Sequence, residues 1–417
     1  MDSIHIQGGV ALQGKVRIQG SKNAALPVLA ATLLTGDGSL IRNCPRIADV
    51  YAMVSLLKEL GCSVYWQEKG LFIDSSTVRR EEICSDAVTG MRSSLCLLGA
   101  LIGRCGEVVM EHPGGCVIGR RPIDLHLTAL EQMGVEFREK GAKLLAKADR
   151  LCGAHIILPF PSVGATENVV LAAVLAEGDT VLEGAALEPE IAALCQYLQC
   201  CGAEIDGVGT GQLVIRSGRK LYGTEFAIPA DRIVAGTYLF GCIGAGGSVF
   251  LEDAPWEDMG AVLELAEHMG GRLYTSQEGV YVQAPNRPLA VDCIRTAPHP
   301  GFPTDLQSVA LSVAAVAEGQ SMIRETIFEN RFRVVEDLRR MGARIEEQGV
   351  DVVRVHGVSK LHSAEVEARE LRGGAALVVA GLMAQGETVV TGCQYINRGY
   401  ENICRDFREL GARVTSA

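Results

Sequence analysis

The run His112-Pro113-Gly114-Gly115-Cys116-Val117-Ile118-Gly119-Arg120-Arg121-Pro122 places a thiol between glycines and a pair of arginines. Glycines leave such a loop free to change conformation, and nearby cations favour the thiolate. The run therefore suits a reactive cysteine on a lid over an anionic ligand. Taken alone, it also reads as a free cysteine in a turn. Four further cations, Lys22, Arg92, Arg232 and Arg372, each open an apolar helical pattern at the junction with the strand before it, with Asn23 beside Lys22. Backbone N–H groups and the positive end of the helix dipole gather at such junctions, where anions bind. A cation there opposes the dipole, so its repetition suggests one shared anion site, which Arg121 and Arg398 would join through charge-assisted bonds. Thr166 with Glu167, and Thr304 with Asp305, hold the same place in two other copies. For these, helix capping is the competing reading. Asp305 follows Pro298-His299-Pro300-Gly301-Phe302-Pro303-Thr304, a segment stiffened by three prolines. It is a candidate base for a substrate hydroxyl, with a capping Asp as the alternative.

The elements that must hold these residues recur. Six times an amphipathic helix ends in an apolar or small residue plus glycine: Leu60-Gly61, Met133-Gly134, Cys201-Gly202, Met269-Gly270, Met341-Gly342 and Leu410-Gly411. The spacing of ~70 residues marks one supersecondary unit. In the first copy Val50, Met53, Leu57 and Leu60 share one helical face, and the glycine supplies the stop. Each such helix follows a more apolar one: Asn23 to Leu34, Arg92 to Gly103, Glu167 to Ala176, Arg232 to Ile243, Asp305 to Ala317 and Arg372 to Ala384. Lacking a polar face wide enough for water, these helices belong in domain centres. Strands such as Val108-Val109-Met110 follow them, and hairpin patterns such as Arg272-Leu273-Tyr274 with Val280-Tyr281-Val282 follow the second helices. The unit reads βαβαββ. The sixth copy stops at Gly411-Ala412-Arg413-Val414 without its hairpin partner, so strands within residues 4 to 18 are expected to complete it. Three units per domain predict one domain over 22–229 and a second from 1–21 plus 230–417, with a cleft between them.

Length, 48% hydrophobic content and a mean hydropathy of +0.19 suffice for large cores. A net charge of -11 argues against a polyanion-binding surface, so nucleic acid and anionic membrane are not expected partners. The N-terminus lacks a basic region followed by an apolar core, and no stretch reaches the ~18 uninterrupted apolar residues of a membrane span, which reads as cytoplasmic. The fourteen cysteines are scattered without a C-x-x-C, several within helical patterns (Cys96, Cys195, Cys242), and read as reduced thiols. The eight histidines show no metal-binding spacing, so no metal is expected. The run Gly207-Val208-Gly209-Thr210-Gly211 is followed by the strand-like Leu213-Val214-Ile215, and predicts a hairpin turn rather than a nucleotide fingerprint.

Nearly end to end, the chain resembles the UDP-N-acetylglucosamine 1-carboxyvinyltransferase family, whose enolpyruvyl transfer begins bacterial peptidoglycan precursor synthesis. The resemblance rests on Gly20-Ser21-Lys22-Asn23-Ala24-Ala25-Leu26-Pro27, the Pro113 to Pro122 loop with Asp124-Leu125-His126-Leu127, Pro161-Ser162-Val163-Gly164-Ala165-Thr166-Glu167-Asn168, Pro300 to Asp305, Phe328-Glu329-Asn330-Arg331-Phe332 and Asn397-Arg398-Gly399-Tyr400-Glu401. It implies an α/β fold of two inside-out barrel domains, each of three βαβαββ units, with the active site in the interdomain cleft and no cofactor. By the same resemblance, Cys116 would act on phosphoenolpyruvate as general acid, form a covalent adduct and be the residue fosfomycin alkylates. Lys22, Arg121 and Arg398 would hold phosphoenolpyruvate, with Arg92 and Arg372 nearby and Asn23 on the sugar. Asp305 would take the proton of the sugar 3-hydroxyl. Arg121, Pro122, Ile123, Asp124 and Leu125, beside His126, would hold the uridine and diphosphate together with Ser162, Val163 and Gly164, and Ile327 joins the substrate-binding set. Where the family commonly has a glutamate after Asp-Arg-Ile, this chain has Val234, and Leu187 replaces a basic residue often found before Glu188-Pro189-Glu190. Two rival readings are transfer to a shikimate phosphate, a family without the Gly-Gly-Cys loop, and a catalytically silent, ligand-sensing paralogue.

Overall fold

The computed structural model describes residues 3–78, 82–83, 92–111, 123–141 and 143–417. The six apolar segments are helices: α1 (Lys22–Ala31), α2 (Cys96–Cys105), α3 (Val163–Ala173), α4 (Arg232–Ala245), α5 (Thr304–Ala314) and α6 (Leu371–Met383). Their burial has no solvent face, so each must lie inside its unit. In α1 every residue from Ala24 to Ala31 is buried. Helices α4, α5 and α6 pack on one another, and α2 packs on both α1 and α3. The α2–α3 approach depends on Gly99, where a Cβ would sit 2.4 Å from the Asn168 carbonyl oxygen.

Sheets cover these helices, and among the described residues six four-stranded sheets share one order. In the second copy Glu82–Ile83 pairs parallel with Glu107–Glu111, which pairs antiparallel with Lys143–Lys147, itself antiparallel to Glu136–Lys140. A crossover helix joins the parallel pair, as parallel strands require, and the hairpin closes the sheet. The Gly207–Gly211 run joins Glu204–Asp206 to Gln212–Arg216 as a hairpin.

The amphipathic helices end at the six predicted glycines, whose φ values run from 84° at Gly411 to 105° at Gly202, a region that disfavours any other residue. After helix Ala48–Glu59, Gly61 N–H donates to Lys58 O and Cys62 N–H to Leu57 O, so the paired bonds satisfy the last turn's carbonyls.

Two expectations are corrected. Only β1 (Ser3–Gln7) completes the sixth copy, lying between Glu387–Thr391 and Arg413–Ser416. Strand β2 (Leu12–Arg17) instead pairs parallel with Gly247–Glu252 and opens the fourth copy, where strand Glu225–Ala227 likewise opens the first. By chain β2 leads into α1 and Glu225–Ala227 into α4, so the two opening strands are exchanged between the first and fourth copies, and the bond from Asp231 N–H to Gln19 O ties the ends of the two connections together. The second correction is the start of α3, four residues before Glu167, because the Ser162 hydroxyl accepts from Ala165 N–H and caps the helix there.

The described residues of 20–229 form one compact unit, and those of 1–19 with 230–417 form the other. Each has its own apolar core, one drawn from residues 24 to 228 and the other from 4 to 18 and 233 to 414. Val234 is fully buried in the second core, where an aliphatic side chain needs no partner. Among the described residues, no helix is long and apolar enough to cross a membrane.

Candidate active site

In the 20–229 unit, the Ser21 hydroxyl caps α1 by accepting from Ala24 N–H at 3.3 Å, which places Lys22 and Asn23 in the first turn. Lys22 Nζ lies 2.7 Å from Asp49 Oδ2, with 13% and 5% of the two side chains exposed. Asn23 Nδ2 donates to Glu190 Oε1 at 3.4 Å. The expectation of cations awaiting an anion is thereby modified for Lys22, because an ammonium this deep needs a compensating charge from the protein itself. Arg92 is half-buried at the start of the 3₁₀ turn Arg92–Leu95 that leads into α2.

Ser162, Val163 and Gly164 form the N-terminus of α3. Buried His126, in helix Asp124–Gln132, packs against it so closely that a Cβ on Gly164 would meet the ring at 2.7 Å. Asn168 holds this arrangement: its Oδ1 accepts from Gly99 N–H at 2.6 Å, and its Nδ2 lies 3.1 Å from Gly164 O and 3.0 Å from His126 Nδ1. The two backbone partners fix which end of the amide is which, so Nδ2 donates to the ring and Nδ1 carries the lone pair. Ile123 and Leu125 are half-buried and Asp124 is exposed. Cys116, Arg121 and Pro122 lie outside the described residues.

Next to these groups, burial pushes the Glu167 carboxyl up to about 8, opposed by its contact with Cys96 and reinforced by Glu190 and Glu188. Cys96 Sγ donates to Glu167 Oε2 at 3.0 Å, and burial holds that thiol well above its ordinary range.

In the other unit, Asp305 does not cap α5: the N-cap is Pro303, and no side chain caps the helix. Its carboxylate is instead held by two guanidiniums, with Arg331 Nη2 2.7 Å from Oδ1 and Arg372 Nη2 2.7 Å from Oδ2. The arginine side chains are 3% and 5% exposed, against 22% for Asp305. Burial alone would lower the Arg372 pKa, but Asp305, Tyr400 and Asp231 outweigh it and raise it above the ordinary guanidinium value.

Arg372 lies in the first turn of α6 behind the N-cap Glu370, whose carboxylate accepts from the Arg372 and Gly373 N–H groups and lies 3.7 Å from Arg331 Nη1. Asp231 caps α4 in the same way, accepting from Ile233 and Val234 N–H, so acidic caps offset the cations at both junctions. Arg398 is half-buried in a segment pinned by Gln19, which donates to Gly399 O at 3.1 Å and accepts from Glu401 N–H at 2.8 Å. Ile327 N–H donates to Glu325 Oε1 at 2.8 Å.

Sequence reasoning missed Asp49, Asn168, Glu325 and the role of Arg331. Arg331 sits within a motif that carries the resemblance, whereas Asp49 is far in sequence from Lys22, and Glu325 from Thr296 and Thr304, so these partners leave no spacing signal.

Residues 6–407 match the family described as EPSP synthase (3-phosphoshikimate 1-carboxyvinyltransferase). A curated relative from Caldanaerobacter subterraneus subsp. tengcongensis, UDP-N-acetylglucosamine 1-carboxyvinyltransferase 2, is 45% identical over 99% of both chains. UDP-N-acetylglucosamine 1-carboxyvinyltransferase of Nitratidesulfovibrio vulgaris (strain DP4) is 44% identical, also over 99% of both. Among solved structures, the enolpyruvyl transferase NikO from Streptomyces tendae matches with a TM-score of 0.89 at 24% identity, covering 99% of this chain and 98% of that one. EPSP synthase from Acinetobacter baumannii matches with a TM-score of 0.74 at 18% identity over the full length of both. These two likenesses establish the inside-out α/β fold, while the relatives of higher identity distinguish the branch. The chain belongs to the UDP-N-acetylglucosamine 1-carboxyvinyltransferases, within the wider EPSP synthase family.

Proposed function

We propose that this chain transfers the enolpyruvyl group of phosphoenolpyruvate to the 3-hydroxyl of UDP-N-acetylglucosamine and releases phosphate, the step that commits the sugar nucleotide to peptidoglycan precursors in the cytoplasm. The observation that carries the reading is Asp305, a carboxylate held by two buried arginines rather than spent on a helix cap. In this role it takes the proton of the 3-hydroxyl as the oxygen bonds to C2 of phosphoenolpyruvate, and Cys116 delivers a proton to C3. Elimination then removes a C3 proton and breaks the C2–O bond to phosphate, restoring the double bond.

Lys22, Arg121 and Arg398 hold phosphoenolpyruvate in this reading, supported by Arg92 and Arg372, and stabilise the charge that builds on the tetrahedral intermediate. The N-terminus of α3, with Ser162, Val163 and Gly164, suits the diphosphate because its N–H groups converge on an anion. Ile123 to His126 and Ile327 complete the nucleotide and sugar contacts, and Asn23 reaches the sugar. The reaction needs groups from both units on one substrate.

The test is phosphate release from phosphoenolpyruvate with UDP-N-acetylglucosamine, with shikimate 3-phosphate, or with neither, before and after fosfomycin. Release that depends on the sugar nucleotide and stops after fosfomycin supports the reading and Cys116 together. Release with shikimate 3-phosphate alone favours the other branch of the family. Binding of the sugar nucleotide without any release favours a silent paralogue.

A further inference from the structure

Glu325 follows strand Gln320–Arg324 and is 2% exposed, yet its carboxylate collects donors from three separate segments. Oε1 accepts from Thr296 Oγ1 at 3.0 Å, Ile327 N–H at 2.8 Å and Phe328 N–H at 3.2 Å, while Oε2 accepts from Thr304 Oγ1 at 2.9 Å. Burying a carboxylate is costly, and charge-assisted bonds from four donors offset that cost only while all four stay in place. Thr296 is fully buried and holds the same turn a second time, accepting from Thr326 N–H at 2.9 Å and receiving the Thr326 hydroxyl on its carbonyl at 2.7 Å.

The direction of the Thr304 bond has a consequence for Asp305. A hydroxyl has one proton, and the carboxylate can only accept it, so the Thr304 oxygen is left to accept elsewhere. Arg331 Nε lies 3.3 Å from that oxygen, and the same guanidinium reaches Asp305 through Nη2. A chain of fixed polarity therefore runs from Glu325 through Thr304 and Arg331 to Asp305.

We infer that Glu325 is a positioning residue for the transfer reaction, locking the Ile327 turn to the start of α5 and, through Thr304, orienting Arg331 on Asp305. This rests on the reading that Asp305 is the base and Ile327 a substrate contact.

The test compares Glu325→Gln, Thr304→Val and Thr304→Ser by steady-state phosphate release with both substrates varied. Misplacing a catalytic group costs rate, so Thr304→Val is expected to lower kcat about tenfold with KM for UDP-N-acetylglucosamine within about twofold, and Thr304→Ser to restore kcat. Glu325→Gln keeps one acceptor oxygen but turns a donor on the other side, and should lower kcat while raising KM for the sugar nucleotide about fivefold. Parent-like constants in Glu325→Gln and Thr304→Val overturn the inference, as does an equal loss of kcat in the Val and Ser variants. If the parent releases no phosphate, the transfer reading itself fails. Hydrogen exchange at the Ile327 and Phe328 amides then decides the clamp, with faster exchange in Glu325→Gln expected and unchanged exchange overturning it.

Discussion

Lys22 and Asp49 form an ion pair of 2.7 Å in which only 13% and 5% of the side chains are exposed. Breaking a buried pair leaves a charge in a poor solvent, whereas removing both members is far less costly. Asp49→Leu and Lys22→Met should therefore each destabilise the protein by about 3 kcal/mol, and the Lys22→Met/Asp49→Leu double variant by clearly less than the sum of the singles. Urea denaturation of the four proteins measures the coupling, and additive losses would show that the pair contributes nothing.

Asp305→Asn removes the negative charge from between Arg331 and Arg372. Phosphate release should fall at least about 100-fold if the carboxylate is the base. Stability should fall by about 2 kcal/mol, less than for a fully buried pair because Asp305 is 22% exposed. A variant that retains turnover near the parent rate excludes Asp305 as the base.

Glu167 supplies a pH signature. Its folded pKa of about 8 lies above the ordinary carboxyl value of 4.5, so between these the unfolded chain binds fewer protons than the native one and stability falls as pH rises. The loss begins above pH 4.5 and levels off beyond pH 8. Glu167→Gln keeps an acceptor for the Cys96 thiol and carries no charge. It should lie within about 1 kcal/mol of the parent near pH 5 and exceed it by about 4 kcal/mol at pH 8.5, as read by thermal melting at both pH values.

Two glycines should respond oppositely to alanine. Gly99→Ala drives a methyl to 2.4 Å from the Asn168 carbonyl oxygen and should cost about 2–3 kcal/mol by forcing α2 from α3. Gly260 has helical φ and ψ of -45° and -58°, with nothing near its missing Cβ, so Gly260→Ala should stabilise by about 0.5 kcal/mol. Melting temperatures of the two variants check both signs.

The departure at Val234 is explained by its burial in an apolar core. Neighbouring Asp231 caps α4 through the backbone N–H groups of Ile233 and Val234, bonds that do not involve the side chain at position 234.

Hydrophobic periodicity and the recurring glycines were enough to read six copies of a βαβαββ unit, their apolar inner helices and the hairpin at Gly207–Gly211. These features depend on contacts within a few turns of chain, which residue order encodes directly. The motifs around Lys22, Ser162, Asp305 and Arg398 likewise carried the family by order and spacing. Tertiary structure decided what lies opposite them. It assigned β1 and β2 to different copies, turned Asp305 from a possible cap into a carboxylate between two arginines, gave Lys22 its counterion in Asp49, and brought Glu325 to Thr296 and Thr304. Such partners lie far apart in sequence and meet only when buried charges must find compensation inside the folded unit, a requirement that local pattern does not express.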